Sequence, residues 1–246
     1  MLTIDIWTVT FLAFLTAVAT GLGALPFLFV RDVAKGKLGT ANALAAGLML
    51  AASLMLVWEG GQHGWLSTLL GAALGAAFVH VTGAWLDGRD DLDVGALQGA
   101  NARKAVLIMG VMTVHSFAEG VGVGVSYGGG EALGLFITAA IALHNVPEGL
   151  AIALVLVPRG IGVWAAAGWA VVSSLPQPLL APFAFYAVDH FAPLLPPGLG
   201  FAAGAMVMLA ATELIPEAMD QAPRARVAGI VGLATFGGFG LQLLLG

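Results

Sequence analysis

This chain has no cysteine and very little charge. The first absence excludes disulfide staples and thiolate metal ligands, and it leaves the redox compartment open. Charged residues make up 9 % of the sequence, against about 25 % in an ordinary soluble domain. With only nine Lys and Arg there is no basic patch for a nucleic acid, and a net charge of −5 says little about partners. No separate soluble domain is visible, and the only sizeable hydrophilic stretch is about 87–103. No positively charged stretch precedes the first apolar segment, which is also too long for a signal-peptide core.

Apolar residues are what remains. They form 59 % of the chain, and the mean hydropathy is +0.97. A water-soluble fold could not hide that much apolar surface, so the composition predicts an all-α, polytopic membrane protein forming one transmembrane domain over 1–246. Glycine, at 35 residues of 246, is about twice its usual share of roughly 7 %. Small residues let membrane helices approach closely. Hydropathy marks eight apolar segments, near 6–30, 39–58, 65–86, 104–126, 132–157, 161–188, 197–219 and 226–245.

Lys and Arg set the expected topology. Arg31, Lys35 and Lys37 follow the first segment; Arg89, Arg103 and Lys104 surround the third-to-fourth connection; Arg159 follows the fifth; Arg224 and Arg226 follow the seventh. The alternate connections, near 59–64, 127–131 and 189–196, have none. Positive residues stay cytoplasmic, so the split predicts both termini outside and a bundle of eight transmembrane helices. Trp7, Trp58 and Trp65 then fall near outer ends and Trp85 and Trp164 near inner ends, as interfacial aromatics do.

The chemistry is concentrated in the fourth and fifth segments. His115-Ser-Phe-Ala-Glu119-Gly120 and His144-Asn-Val-Pro-Glu148-Gly149 each put a histidine and a glutamate one helical turn apart on one face. Ionisable groups inside a bilayer cost roughly 3 kcal/mol or more each, so they imply a function. The short connection makes the two segments antiparallel neighbours, which brings both pairs to similar depth. Two imidazoles and two carboxylates suit a divalent metal, and the carboxylates neutralise it. Pro147 removes one backbone hydrogen bond from the fifth segment and is expected to bend it. The spacing is not His-Glu-x-x-His, so the zinc-protease arrangement is absent.

These residues carry a resemblance. The chain resembles the ZIP (Zrt/Irt-like) family of divalent metal transporters, prokaryotic branch: His144-Asn-Val-Pro-Glu-Gly matches its motif in full, and His115-Ser-Phe-Ala-Glu-Gly matches at His, Glu and Gly. Ala46-Gly-Leu-Met-Leu-Ala-Ala-Ser53 and Glu213-Leu-Ile-Pro-Glu217 are similar to the family as well. The resemblance implies that His115, Glu119, His144 and Glu148 line a transport site at the bilayer midplane. It also implies an adjoining site at Ser116, Asn145, Glu148 and Gln177. Here serine replaces asparagine and glutamine replaces glutamate. The adjoining site keeps only a shared carboxylate, and a two-metal centre is not expected. Gln177 is expected to coordinate weakly or to orient Glu148 by a hydrogen bond. Its flanks, Pro176 and Pro178, suggest a broken sixth helix.

The reading that follows is a transporter in the cell (inner) membrane moving Zn²⁺, with Fe²⁺, Mn²⁺, Co²⁺ and Cd²⁺ also suited to the donor set, into the cytoplasm. Its partners are the ion and the lipid bilayer, with a homodimer as the oligomeric option and no nucleic acid. The rival reading is an intramembrane zinc-dependent hydrolase, which needs a further general base that no unassigned carboxylate at matching depth supplies. Haem between the two histidines would leave the glutamates without purpose. A metal-sensing or structural membrane protein is the blander reading. Elsewhere, Asp87, Asp90, Asp91 and Asp93 read as a solvated cytoplasmic loop with metal capture as the alternative. Glu213 with Glu217 offers an exit site or interfacial polarity. Glu59 with His63, and Asp189 with His190, read as outer-loop groups. His80 is expected to be a packed, hydrogen-bonded histidine.

Overall fold

The computed structural model describes residues 4–29, 35–87 and 100–245. Arg31, Arg89, Asp90, Asp91 and Asp93 lie outside the described residues, as do the side chains of Asp87, Arg103 and Lys104. Every regular element among the described residues is helical. α1 (Ile6–Leu22) is capped by Asp5, whose carboxylate accepts the Thr8 N–H at 2.7 Å. α2 (Lys35–Asp87) is broken at Gly64, where φ and ψ are 162° and 99°. A Cβ on Gly60 would meet the Thr68 hydroxyl at 2.8 Å. Eight residues of straight helix would span about 12 Å, so the chain turns back at Gly64.

α3 (Ala100–Gly128) and α4 (Glu131–Leu156) follow, and α4 runs through Pro147 without interruption. α5 (Val163–Ser173) and α6 (Pro176–His190) are separated at Ser174 and Leu175, the break implied by the paired prolines. α7 (Leu195–Leu209) passes through a π-helical turn, Ala210–Leu214, into α8 (Ile215–Gln221), and α9 (Arg224–Leu245) closes the chain.

Among the described residues, five stretches are long and apolar enough to cross a membrane: Ile6–Leu28, Gly36–Trp85, Glu131–Leu156, Val163–His190 and Ala192–Gln221. The second of these joins two of the expected segments, because helix resumes directly on the far side of Gly64. The packing is that of a protein dissolved in lipid. Small residues such as Ala13, Ala17, Ala45, Ala46, Ala202 and Ala203 are buried, while Trp7, Phe183 and Phe236 are more than 70 % exposed. Water would not tolerate such a surface, whereas hydrocarbon does.

Two sets of helices emerge from the contacts. α1, α3, α4, α5 and α6 pack on one another, and α2 packs on α7, α8 and α9. α2 meets α4, and α3 meets α7, where the sets join.

Candidate metal centre

The register of α3 against α4 comes from the turn between them. Gly129 and Gly130 donate their N–H groups to the Ser126 and Tyr127 carbonyls, and Gly130 has φ 123°, a conformation that favours glycine. The Tyr127 ring lies across Gly134, and its hydroxyl is 3.1 Å from that of Thr138. His115 lies fourteen residues before Gly129, and His144 fourteen after Gly130. Reflection through the turn therefore puts the two histidines at one level. Glu119 falls one turn nearer the connection, and Glu148 one turn farther from it.

Each imidazole consequently stands between both carboxylates. His115 Nε2 is 2.7 Å from Glu148 Oε1 and 3.2 Å from Glu119 Oε1. His144 Nε2 contacts Glu119 Oε1 closely and lies 3.7 Å from Glu148 Oε1. The tightest pairs are thus between helices, not within them. One ligand atom from each of the four residues lies within 4.8 Å of all the others, and all four residues are buried.

His144 Nδ1 sits 3.2 Å from the Ala140 carbonyl. Donation of Nδ1–H to that carbonyl selects the tautomer that leaves Nε2 facing the cluster. Among the described residues, His115 Nε2 and Glu148 Oε1 are buried without a partner in hydrogen-bond geometry, although they are close together. Buried polar atoms are expensive unless satisfied, and a dication at their meeting point would satisfy both. Two imidazole nitrogens and two carboxylate oxygens then give a neutral, mixed nitrogen–oxygen site.

The glycine that ends each motif has a packing reason. A Cβ on Gly120 would meet Gln177 Cα at 2.8 Å and the Pro176 carbonyl at 2.9 Å, so α6 rests on α3 there. A Cβ on Gly149 would strike the Thr20 carbonyl, so α1 rests on α4. These approaches bring polar side chains of α1 and α6 to the cluster. The Gln177 amide donates to Glu119 Oε2 at 2.5 Å. Its carbonyl oxygen receives Asn145 Nδ2 at 3.2 Å and the Thr16 hydroxyl. Asn145 Nδ2 also donates to the Thr16 backbone carbonyl at 2.8 Å.

Gln177 thus holds Glu119, whereas the expected partner was Glu148. The cause is the Gly120 seam, which docks Gln177 directly beside the neighbour of that glycine. Ser116 and Asn145 are buried next to their histidines, and Asn145 Oδ1 has no hydrogen-bond partner among the described residues.

The outlying candidates do not join the cluster. His80 is exposed on α2, contrary to the packed role expected of it. His63 contacts Glu59, and His190 stacks on Tyr186 at 3.9 Å between ring centres. Glu213 falls within the π-helical turn, and Glu217 accepts from Gln221 at 3.1 Å. Thr16, Thr20 and Ser174 were not among the expected site residues, yet Thr16 reaches Gln177, and Thr20 and Ser174 pair at 2.8 Å. The available signal was the spacing of Thr16 and Thr20, one turn apart in an apolar helix.

Comparison with known proteins places the chain among zinc transporters. A family model described as ZIP Zinc transporter matches residues 86–246. A candidate zinc transporter of Arabidopsis thaliana is 44 % identical over 230 residues, covering 92 % of this chain and 37 % of the relative. Zinc transporter GufA of Myxococcus xanthus is 32 % identical over 221 residues, covering 82 % of this chain and 85 % of the relative. Human zinc transporter ZIP11 is 38 % identical over 133 residues, covering 49 % of this chain and 37 % of the relative. The chain therefore spans little more than a third of the plant and human proteins, but most of the bacterial one.

Proposed function

Because the chain belongs to the ZIP zinc transporter family, we propose that it carries Zn²⁺ across a membrane, with His115, Glu119, His144 and Glu148 as the ligands of the transported ion. The observation that carries this reading is the convergence of four buried ligand atoms within 4.8 Å of one another. An isolated buried histidine is explained by a hydrogen bond to its neighbour; four convergent donors with matched charge need a cation. The family is one of transporters, so the hydrolase alternative falls away.

The ion enters from outside, exchanges waters for imidazole and carboxylate, and leaves toward the cytoplasm. Nitrogen and oxygen donors hold a dication firmly enough to desolvate it, yet release it more readily than thiolates would. Fe²⁺, Mn²⁺, Co²⁺ and Cd²⁺ suit the same donors and are expected to compete. The chain acts as one domain with eight spans in the cell membrane and both termini outside, supported by the restriction of all nine Lys and Arg to alternate connections. The helices bearing the ligands re-orient against α2 and α7–α9, in keeping with the division of the contacts into two sets. Ser116 and Asn145 adjoin the ion, and Asn145 Oδ1, buried without a hydrogen-bond partner among the described residues, is free to contact it.

The test is uptake of radiolabelled Zn²⁺ into sealed vesicles. His115→Ala and Glu148→Ala should each lower the initial rate at least tenfold at unchanged protein level, with rates for the other metals measured alongside. Native uptake in both variants would overturn the assignment.

A further inference from the structure

Glu119 offers two oxygens, and the structure treats them differently. Oε1 faces both histidines, while Oε2 receives the Gln177 amide at 2.5 Å. The direction of every hydrogen bond behind that contact can be deduced from groups with only one possible role. The Thr16 backbone carbonyl can only accept, so the atom of Asn145 that faces it at 2.8 Å is the amide nitrogen. The same nitrogen lies 3.2 Å from Gln177, which must present its carbonyl oxygen there. The other end of the Gln177 amide, turned toward Glu119, is therefore N–H. A donor at that point requires Oε2 of Glu119 to accept, so that oxygen carries no proton.

We propose that Asn145 and Gln177 are positioning residues, forming a relay oriented from the Thr16 carbonyl that keeps Glu119 a one-oxygen ligand and limits the centre to a single ion. The inference rests on the transport-site reading above. Its physical basis is that a second dication bridged through Glu119 would need Oε2, which the amide N–H occupies while repelling a cation, leaving Glu148 as the one carboxylate it could share. All the relay residues are buried, so water does not compete for the bonds. The Thr16 side chain contributes less than its backbone. Its hydroxyl proton is shared between Gln177 and the Ala13 carbonyl at 2.6 Å, whereas the carbonyl is fixed by the helix.

The test is Zn²⁺ titration of the purified full chain in detergent, reading stoichiometry and affinity. The native chain should bind one Zn²⁺. Gln177→Met, which keeps the bulk and loses the donor, should still bind one, with affinity lowered about 10–100-fold, the range for outer partners of a metal ligand. Gln177→Glu, nearly the same shape, places a carboxylate against Oε2 and should bind two. Thr16→Val retains the carbonyl and should change affinity less than about threefold. A purely structural role for Gln177 would weaken both of its variants without changing the ion count. Two ions on the native chain, one on Gln177→Glu, or native affinity in Gln177→Met would each overturn the proposal. His115→Ala separates it from the reading beneath it. Zn²⁺ binding unaffected by His115→Ala removes the transport site itself, whereas binding lost there but native in Gln177→Met and Gln177→Glu removes only the relay.

Discussion

Replacing Gly149 by alanine should damage this protein far more than replacing Gly120, although both glycines close the same motif. The reason is the depth of each close approach. At Gly120 the new Cβ would lie 2.8–2.9 Å from the backbone of Pro176 and Gln177. The nearest of these atoms is a carbon, Gln177 Cα, and carbon–carbon contacts rest at about 3.5 Å or more, so α6 must retreat by roughly 0.7 Å. The Gln177–Glu119 bond, now 2.5 Å, would lengthen to about 3.2 Å, the long end of hydrogen-bond range, and survive. Overpacking costs about 1–3 kcal/mol, and the gain in helix propensity from Gly to Ala, about 1 kcal/mol, offsets part of it.

At Gly149 the Cβ would sit almost on the Thr20 carbonyl, and α1 must retreat by more than about an ångström. The Asn145 bond to the Thr16 carbonyl, now 2.8 Å, then passes beyond hydrogen-bond range and the relay loses its anchor. The expected outcome is a fall of several degrees in unfolding temperature and at least a tenfold loss of Zn²⁺ uptake for Gly149→Ala. For Gly120→Ala the uptake should fall only a few-fold. Gly168→Ala, with open space around it, should match the native chain. Differential scanning fluorimetry in detergent and vesicle uptake together make the measurement. Equal behaviour of the Gly149 and Gly120 variants, or native uptake by the Gly149 variant, would refute the packing argument.

Three further outcomes follow from the same geometry. Uptake should weaken as external pH falls from about 7.5 to about 5.5, because protons compete with the ion for imidazoles that ordinarily titrate near 6.5; a rate rising steadily on acidification would instead require obligatory proton coupling. His80→Ala should leave the initial rate within about twofold of native, since His80 is exposed on α2 and apart from the cluster; a loss equal to that of His115→Ala would contradict this. Gly130→Ala should cost about 1–3 kcal/mol, because φ 123° is nearly forbidden to residues with a Cβ. The cost should appear as a lower unfolding temperature, and Gly162→Ala, also at a helix N-cap but at an ordinary φ and in open space, should lose less.

Much of the centre was legible in the sequence because it depends on local geometry. Four-residue spacing places His and Glu on one helix face, and a short connection makes α3 and α4 neighbours. The membrane environment makes buried charge informative. The break between α5 and α6 was legible because Pro176 and Pro178 cannot continue a helix hydrogen-bond pattern. The cross-pairing of His115 with Glu148 was also present in the numbering, as a reflection through Gly129 and Gly130. What escaped depends on how separate helices dock. Nothing in the spacing of Gln177 says that Gly120 will bring it to Glu119 and not Glu148. The π-helical turn at Ala210–Leu214 contains the Thr212 carbonyl that Pro216 cannot bond, but a proline alone does not say that the helix widens there. His80 was misplaced because a lone histidine in an apolar arm carries no sign of which face it occupies.

The two kinds of motif residue have to be understood together. His115, Glu119, His144 and Glu148 supply charge and lone pairs, but Gly120 and Gly149 decide which neighbours those groups meet. A bulkier residue at either glycine would leave the four ligands in place on their own helices and still separate the helices that orient them. All four ligands, with Thr16, Asn145 and Gln177, belong to α1, α3, α4 and α6, which pack within one set of helices. On the proposed reading, the ion's ligands and their hydrogen-bond partners move together when that set shifts against α2 and α7–α9. Re-orientation then need not break the coordination that made the ion shed its water. Desolvation is the costly step, so a site that travels intact confines that cost to entry and release.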